Sequence, residues 1–145
     1  MSGPALKQQD AHHAIHHAAY GEAQELLHVV KQSVEQGLPE VTAVIQLFLE
    51  HFQMRVINHA DEEEKGFYQE ICRDNSAMTS TIAALSRDHE LMRQLWQEIQ
   101  EEVRHGTQVA MIASRCEHLL WLSAMHSKTE EAWLFEKEEM ADEAD

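Results

Sequence analysis

A chain of 145 residues with 43% apolar side chains can bury one ordinary core and has no need of a second. Its formal net charge of −15 excludes nucleic acid as a partner, because the phosphates would be repelled. No apolar run approaches the roughly 18 residues needed to cross a bilayer, and the N-terminus MSGPALKQQD lacks the charged-then-apolar layout of a secretory leader. The expectation is one cytoplasmic domain over 1–145, with no membrane and an acidic tail from about 141. Glycine (five) and proline (two) are scarce while Ala, Leu, Glu, Gln and Met abound. That balance favours long helices, because these side chains lose little rotamer freedom there.

The first helix is predicted from Pro4 to Gln36, closed by Gly37-Leu38-Pro39. It carries His12, His13, His16 and His17. Counting back from Val30, Leu26, Ala23 and Ala19 along one seam lands on His16, which also lies as far from the Gly37 turn as His59 does. His12, one turn earlier, is the alternative, although its seam would carry Glu22 into the core. His13 ranks third.

The second helix is predicted from Glu40 to Ile71. Within it, His59 and Glu63 are four apart and share one face. Glu64 is rotated about 100° away, which reads as a solvated position. Arg73-Asp74-Asn75-Ser76 separates it from a third helix, Met78 to Arg104, where His89, Met92, Trp96, Ile99 and Val103 form a core seam. An inward imidazole on that seam needs a partner. Then His105-Gly106-Thr107 turns the chain, with Thr107 as N-cap, and a fourth helix runs to Met140. Four long helices joined by short loops make an all-α, up-down-up-down antiparallel four-helix bundle.

The second and fourth helices look like copies of one another. Glu50-His51-Phe52, His59, Glu63-Glu64 and Phe67 recur at a constant offset as Glu117-His118-Leu119, His126, Glu130-Glu131 and Leu134-Phe135. One His and Glu four apart means little; two in the same register inside bundle helices point to a shared site. The metal-ligand set is His16, His59, Glu63, His89, His126 and Glu130, with His12 as the further candidate. Mixed imidazole and carboxylate donors suit iron, manganese or zinc. Two carboxylates can bridge two ions and two histidines complete each, leaving room for a bridging oxide or hydroxide and a small exogenous ligand. Phe52, Met92, Trp96 and Leu134 are candidates for the dry shell around it. His28, His51, His105 and His118 read as surface or supporting residues, and Cys72 and Cys116 as ordinary core or surface thiols.

At these residues (His59 with Glu63-Glu64 and Phe67, Asp88-His89 with Met92-Arg93, and His126 with Glu130-Glu131 and Leu134-Phe135) the chain resembles the hemerythrin-like, or HHE cation-binding, family over nearly its whole length. The resemblance implies a bundle with a non-haem di-iron centre that meets dioxygen, nitric oxide or peroxide, or that stores or senses iron. Two departures stand out. Oxygen-carrying hemerythrins have a second third-helix histidine one turn after the first, and here that position is Arg93. A proline often follows the Leu-Phe of the motif, and here Tyr68 and Glu136 stand instead. The missing histidine speaks against reversible oxygen carriage and moves the likeness towards four-His, two-Glu members, some linked to iron-sulfur repair or nitrosative stress.

Three functions follow as expectations. The first is a binding or sensing protein for dioxygen, nitric oxide, iron or redox state. The second is a di-iron enzyme acting on peroxide or assisting iron-sulfur cluster repair. The third is a helical bundle that only oligomerises.

Overall fold

The computed structural model describes residues 4–136. The first long helix, α1 (Pro4–Glu35), runs through Gly21 without a break. It closes where Gly37 takes φ 62°, with Gly37 N–H donating to Val34 O (3.1 Å) and Leu38 N–H to Ser33 O (3.0 Å). These bonds satisfy carbonyls that the helix end leaves bare. A side-chain-bearing residue in that left-handed conformation would cost about 1–2 kcal/mol.

The second arm is not the single helix expected over 40–71. It comprises α2 (Val41–Phe52), a π turn (Gln53–Ile57), α3 (Asn58–Lys65) and α4 (Phe67–Asp74). Buried Ile45, Phe48, Leu49 and Phe52 are three or four apart, and the next buried positions are Ile57, Ala60 and Glu63. The step from Phe52 to Ile57 is one residue too long for an α-helical seam. The wider π turn absorbs it and keeps the following face pointed inward, so His59 and Glu63 enter the interior. Gly66 (φ −119°, ψ −83°) then interrupts the helix and re-aims α4, whose Tyr68 is buried.

The third arm is α5 (Thr79–His105), which follows a single 3₁₀ turn at Ser76–Met78. Gly106 ends it at φ 75° with the same bonding as Gly37: Gly106 N–H donates to Val103 O (3.3 Å) and Thr107 N–H to Glu102 O (3.0 Å). Thr107 is therefore part of the cap of α5 and not the N-cap of the next helix, a place that Gln108 takes without a side-chain bond. The fourth arm is α6 (Val109–Glu131), continued by a π turn at Ala132–Glu136. The expected extension to Met140 and the acidic tail lie outside the described residues.

α1 packs on α2 and α6, and α5 packs on α6, which makes the all-α four-helix bundle. No helix among the described residues is long and apolar enough to cross a membrane. The apolar interior falls into two clusters. The larger holds Val30, Ile45, Phe48, Leu49, Phe52, Met92, Ile99 and Leu119; the smaller holds Tyr68, Ile82, Leu85, Leu134 and Phe135. Each fully buried Leu or Phe contributes about 1.5–3 kcal/mol. On α5, His89 falls between Leu85 of one cluster and Met92 of the other. Along α6 and the π turn that continues it, His126 falls likewise between Leu119 and Leu134. A polar layer thus crosses the bundle between two dry ones.

Candidate metal centre

Every residue of the predicted ligand set enters that layer. His12, Glu63, His89, His126 and Glu130 are buried, and the side chains of His16 and His59 are only 12% and 22% exposed. Their donor atoms face one another at short range. His12 Nε2 lies 3.2 Å from Glu63 Oε2, while His59 Nε2 and His89 Nε2 each lie 3.5 Å from Glu63 Oε1. His126 Nε2 is 3.4 Å from Glu130 Oε2, and His16 Nε2 is 3.5 Å from Glu130 Oε1. Two donor groups result: Glu63, His89, His126 and Glu130 form one, and His12, His59 and Glu63 the other. Glu63 belongs to both.

The choice between His12 and His16 dissolves. Buried α1 positions run His12, Ala19, Ala23, Leu27 and Val30, with His16 half-buried between the first two. Steps of three and four residues along this seam admit both histidines. Glu22, which the His12 seam seemed to bury, turns outward and pairs with Arg55 and His51. Leu27 replaces the expected Leu26 on the inner face. His13 lies on the outer face, 71% exposed.

The bonding around the layer bears on whether these residues fit a cation. His89 Nδ1–H donates to Glu64 Oε2 (3.2 Å), and His126 Nδ1–H to Asp88 Oδ2 (2.9 Å). Each ring then turns Nε2 inward, and these two nitrogens stand 3.0 Å apart. Two nitrogens this close must share a proton or a cation. The buried His16 Nδ1, His59 Nε2 and Glu130 Oε1 have no hydrogen-bond partner, and orphaned buried polar atoms of this kind are costly, about 1–3 kcal/mol each. Imidazole nitrogens and carboxylate oxygens pointed at a common space are what iron, manganese or zinc would require. The residues fit.

Electrostatics agree. Burial, reinforced by the neighbouring histidines, lowers the pKa of His16 to about 4 against the pull of Glu63, and burial lowers His59 too. Both rings are neutral at pH 7 and can donate to a metal. Burial alone would raise Glu63, but hydrogen bonds from His12 and His89 hold it well below the usual carboxylate range. Glu130 is raised, first by burial and then by the charge of Glu63, as expected when two carboxylates share one dry space. His126 is pulled down by burial, yet Glu130 and Asp88 leave it raised overall.

Residues beyond the predicted set complete the centre. The Tyr68 hydroxyl donates to Glu130 Oε2 and its ring stacks on His89, with centroids 5.4 Å apart and planes 5° off parallel. Burial, with Glu130 beside it, pushes its phenol far above the ordinary range. Glu64 and Glu131, read from sequence as solvated, are only 29% and 22% exposed. Glu64 holds His89 and is itself gripped by Arg93, which also binds Asp61 Oδ1 at 2.6 Å. Glu131 accepts from His13 Nδ1–H at 3.0 Å. Phe67 and Phe135 stack on each other at 5.8 Å and cover His12. Of the expected dry shell, Phe52, Met92 and Leu134 are buried, whereas half-buried Trp96 donates its indole N–H to Leu49 O (2.9 Å).

The supporting histidines divide. His51 Nε2–H donates to Ala19 O (3.1 Å) and ties α2 to α1, while His28, His105 and His118 are exposed. Cys72 and Cys116 are free thiols outside both donor groups, and burial pushes Cys116 up to about 12, which makes it inert.

A cavity of about 200 Å³ leads to this layer, with His59, His89 and His126 among its inner residues and His13, His17, Arg55 and Lys128 further out. A water occupies about 30 Å³ of liquid volume, so a diatomic molecule has ample room.

The family model for the hemerythrin HHE cation binding domain matches residues 5–138. The chain belongs to that family, and its buried His/Glu layer fits a metal site of the kind the family name describes. No curated protein and no solved structure matches the chain.

Proposed function

We propose that this protein holds two iron ions in the polar layer and uses them to bind or sense a small ligand, dioxygen or nitric oxide. The observation that carries this reading is the 3.0 Å approach of His89 Nε2 to His126 Nε2 while carboxylates hold both outer nitrogens. A bundle that only oligomerises would have no use for such an arrangement. Seven inward donors, five imidazoles and two carboxylates, leave few open coordination positions. Arg93 occupies the place of the second third-helix histidine, yet α1 contributes His12 and His16 together, so the donor number is made up from another helix. This restores reversible dioxygen binding as a serious reading.

When bound, the ion pair supplies electrons and open positions to the incoming molecule. The chain's own residues do the rest. Glu63 is placed to join the two donor groups, Glu64 and Asp88 orient His89 and His126, and Phe52, Met92 and Leu134 exclude bulk water. Peroxide turnover is the second reading. It is favoured by Tyr68, whose buried hydroxyl donates a hydrogen bond to Glu130 and offers a donor inside the layer. Cysteine-assisted iron-sulfur repair is disfavoured, since neither thiol belongs to the layer.

The test is elemental analysis and an absorption spectrum of untagged protein. About two irons per chain with oxo-to-iron charge-transfer bands is the expected result, and manganese or zinc in their place would redirect the chemistry. A metal-free chain that takes up no cation would sink the reading. Adding dioxygen to the reduced form then separates the roles: a persistent adduct marks a carrier, and simple oxidation marks a sensor or an enzyme.

A further inference from the structure

The run His12-His13-Ala14-Ile15-His16-His17 contains two histidine pairs four residues apart. Such pairs share a helix face, and the two faces differ by about 100°. The inner pair, His12 and His16, belongs to the centre. The outer pair, His13 and His17, faces solvent with rings 6.1 Å apart and 17° from parallel. Both line the cavity that leads inward.

Glu131 stands between the two faces. Its Oε1 lies 3.0 Å from His13 Nδ1 and 3.9 Å from His16 Nδ1. That nitrogen of His16 is buried and has no hydrogen-bond partner, while its other nitrogen looks inward to Glu130 Oε1 at 3.5 Å. One carboxylate oxygen therefore faces an exposed imidazole and a ring of the centre at once.

We propose that His13, His17 and Glu131 form an outer cation site at the mouth of the cavity, from which a divalent transition metal ion passes inward past His16. Two imidazoles and a carboxylate suit zinc, cobalt or ferrous iron. Exposed side chains change rotamer in picoseconds to nanoseconds, so His13 and His17 can close on an arriving ion without moving the backbone. The net charge of −15 concentrates cations around the whole molecule. On the rim, Arg55 is paired with Glu22 (3.4 Å). Lys128, one turn before Glu131, opposes a second positive charge and makes this the weaker site. The inward destination rests on the two-metal reading above; the outer site does not.

The test uses metal-free full-length protein with Zn²⁺ as the probe in equilibrium dialysis, and stopped-flow uptake at limiting Zn²⁺. Wild type should bind two ions tightly and a third weakly. The double variant His13→Gln/His17→Gln should lose the weak ion, keep the two tight ones, and fill them at least about threefold more slowly, as expected when local capture is removed. Glu131→Gln should slow filling likewise. The control His28→Gln/His118→Gln, which removes two exposed histidines elsewhere, should behave as wild type. A wild type that binds no ion dependent on His13 and His17, a double variant that retains the weak ion, or, where two tight ions bind, filling rates unchanged by the outer substitutions would overturn the proposal. If instead only one ion binds, and it survives Glu63→Gln/Glu130→Gln but not His13→Gln/His17→Gln, the outer site stands and the two-metal centre falls.

Discussion

His89 on α5 and His126 on α6 point their Nε2 atoms at each other across 3.0 Å, each ring pinned from behind by a carboxylate on a different helix. In the metal-free chain only a proton can hold this contact together, and the orphaned atoms nearby carry a cost of their own. A cation that binds the folded layer and not the unfolded chain should therefore stabilise the protein by mass action. At one hundred times the dissociation constant the gain is about 2.7 kcal/mol per site. The melting temperature should rise with added Fe²⁺ (anaerobically) or Zn²⁺, and the rise should shrink in His126→Ala. A melting curve indifferent to both ions would count against the centre.

The duplicated His-Glu pairs should be necessary on both sides. His59→Ala removes a donor from one group and Glu130→Ala one from the other. Each should lower metal content measured by elemental analysis, while circular dichroism remains that of a helical bundle. Full stoichiometry in both variants would refute the ligand assignment.

Glu64 and Arg93 act on His89 from outside the centre. Removing an orienting partner of this kind commonly costs 10–100-fold in metal affinity. Glu64→Gln should weaken Zn²⁺ binding by about that factor in a chelator competition, and Arg93→Gln, which frees Glu64 instead of deleting it, by less. Histidine nitrogen resonances of the metal-free protein supply an independent readout: the Nδ1–H signal of His89 should move in Glu64→Gln. Unmoved signals and unchanged affinity would make Glu64 an ordinary surface residue.

These residues also mark where the sequence was readable. His59, Glu63, His126 and Glu130 were legible because a register repeated on two helices seldom arises by chance, and His89 because it shares a seam with Met92 and Ile99. Helix one was harder. Its seam passes through His12 and His16 with mixed spacing, and only packing shows that both fit. The π turn at Gln53–Ile57 left no mark in composition, although the five-residue step from Phe52 to Ile57 is its trace. Glu64 and Glu131 were misjudged since helical rotation alone turns them from the centre. In a bundle, a position 100° off the core faces the neighbouring helix, where a histidine nitrogen awaits it.

Tyr68 touches two members of one donor group, since its ring lies on His89 and its hydroxyl donates to Glu130. Tyr68→Phe keeps the ring and deletes the donor. Hydrogen bonds to charged groups are worth about 1.5–3 kcal/mol, and the raised pKa of Glu130, which favours its neutral form, places this one towards the lower end. Urea unfolding of the metal-free variant should show a loss of about 1–2 kcal/mol. Equal midpoints and slopes for the two proteins would show that the hydroxyl carries no structural weight.

Acid should unfold the metal-free protein partly through His16. Its pKa is about 4 in the fold and 6.5 when free, so between those values the unfolded chain binds a proton that the folded chain refuses. Stability must then fall as pH drops from 6.5 towards 4, by an amount approaching about 3 kcal/mol at the lower end. His59, lowered for the same reason, acts in the same direction, and Glu63 joins below 4.5, where its depressed carboxyl begins to lose its advantage. His126 and Glu130 are raised and oppose the trend: what they contribute is present at low pH and lost as pH climbs through their folded values. Comparing wild type with His16→Gln isolates one contribution from this sum. The variant should show a flatter decline in urea midpoint between pH 6.5 and 4, and parallel curves would mean that His16 is not held neutral by the fold.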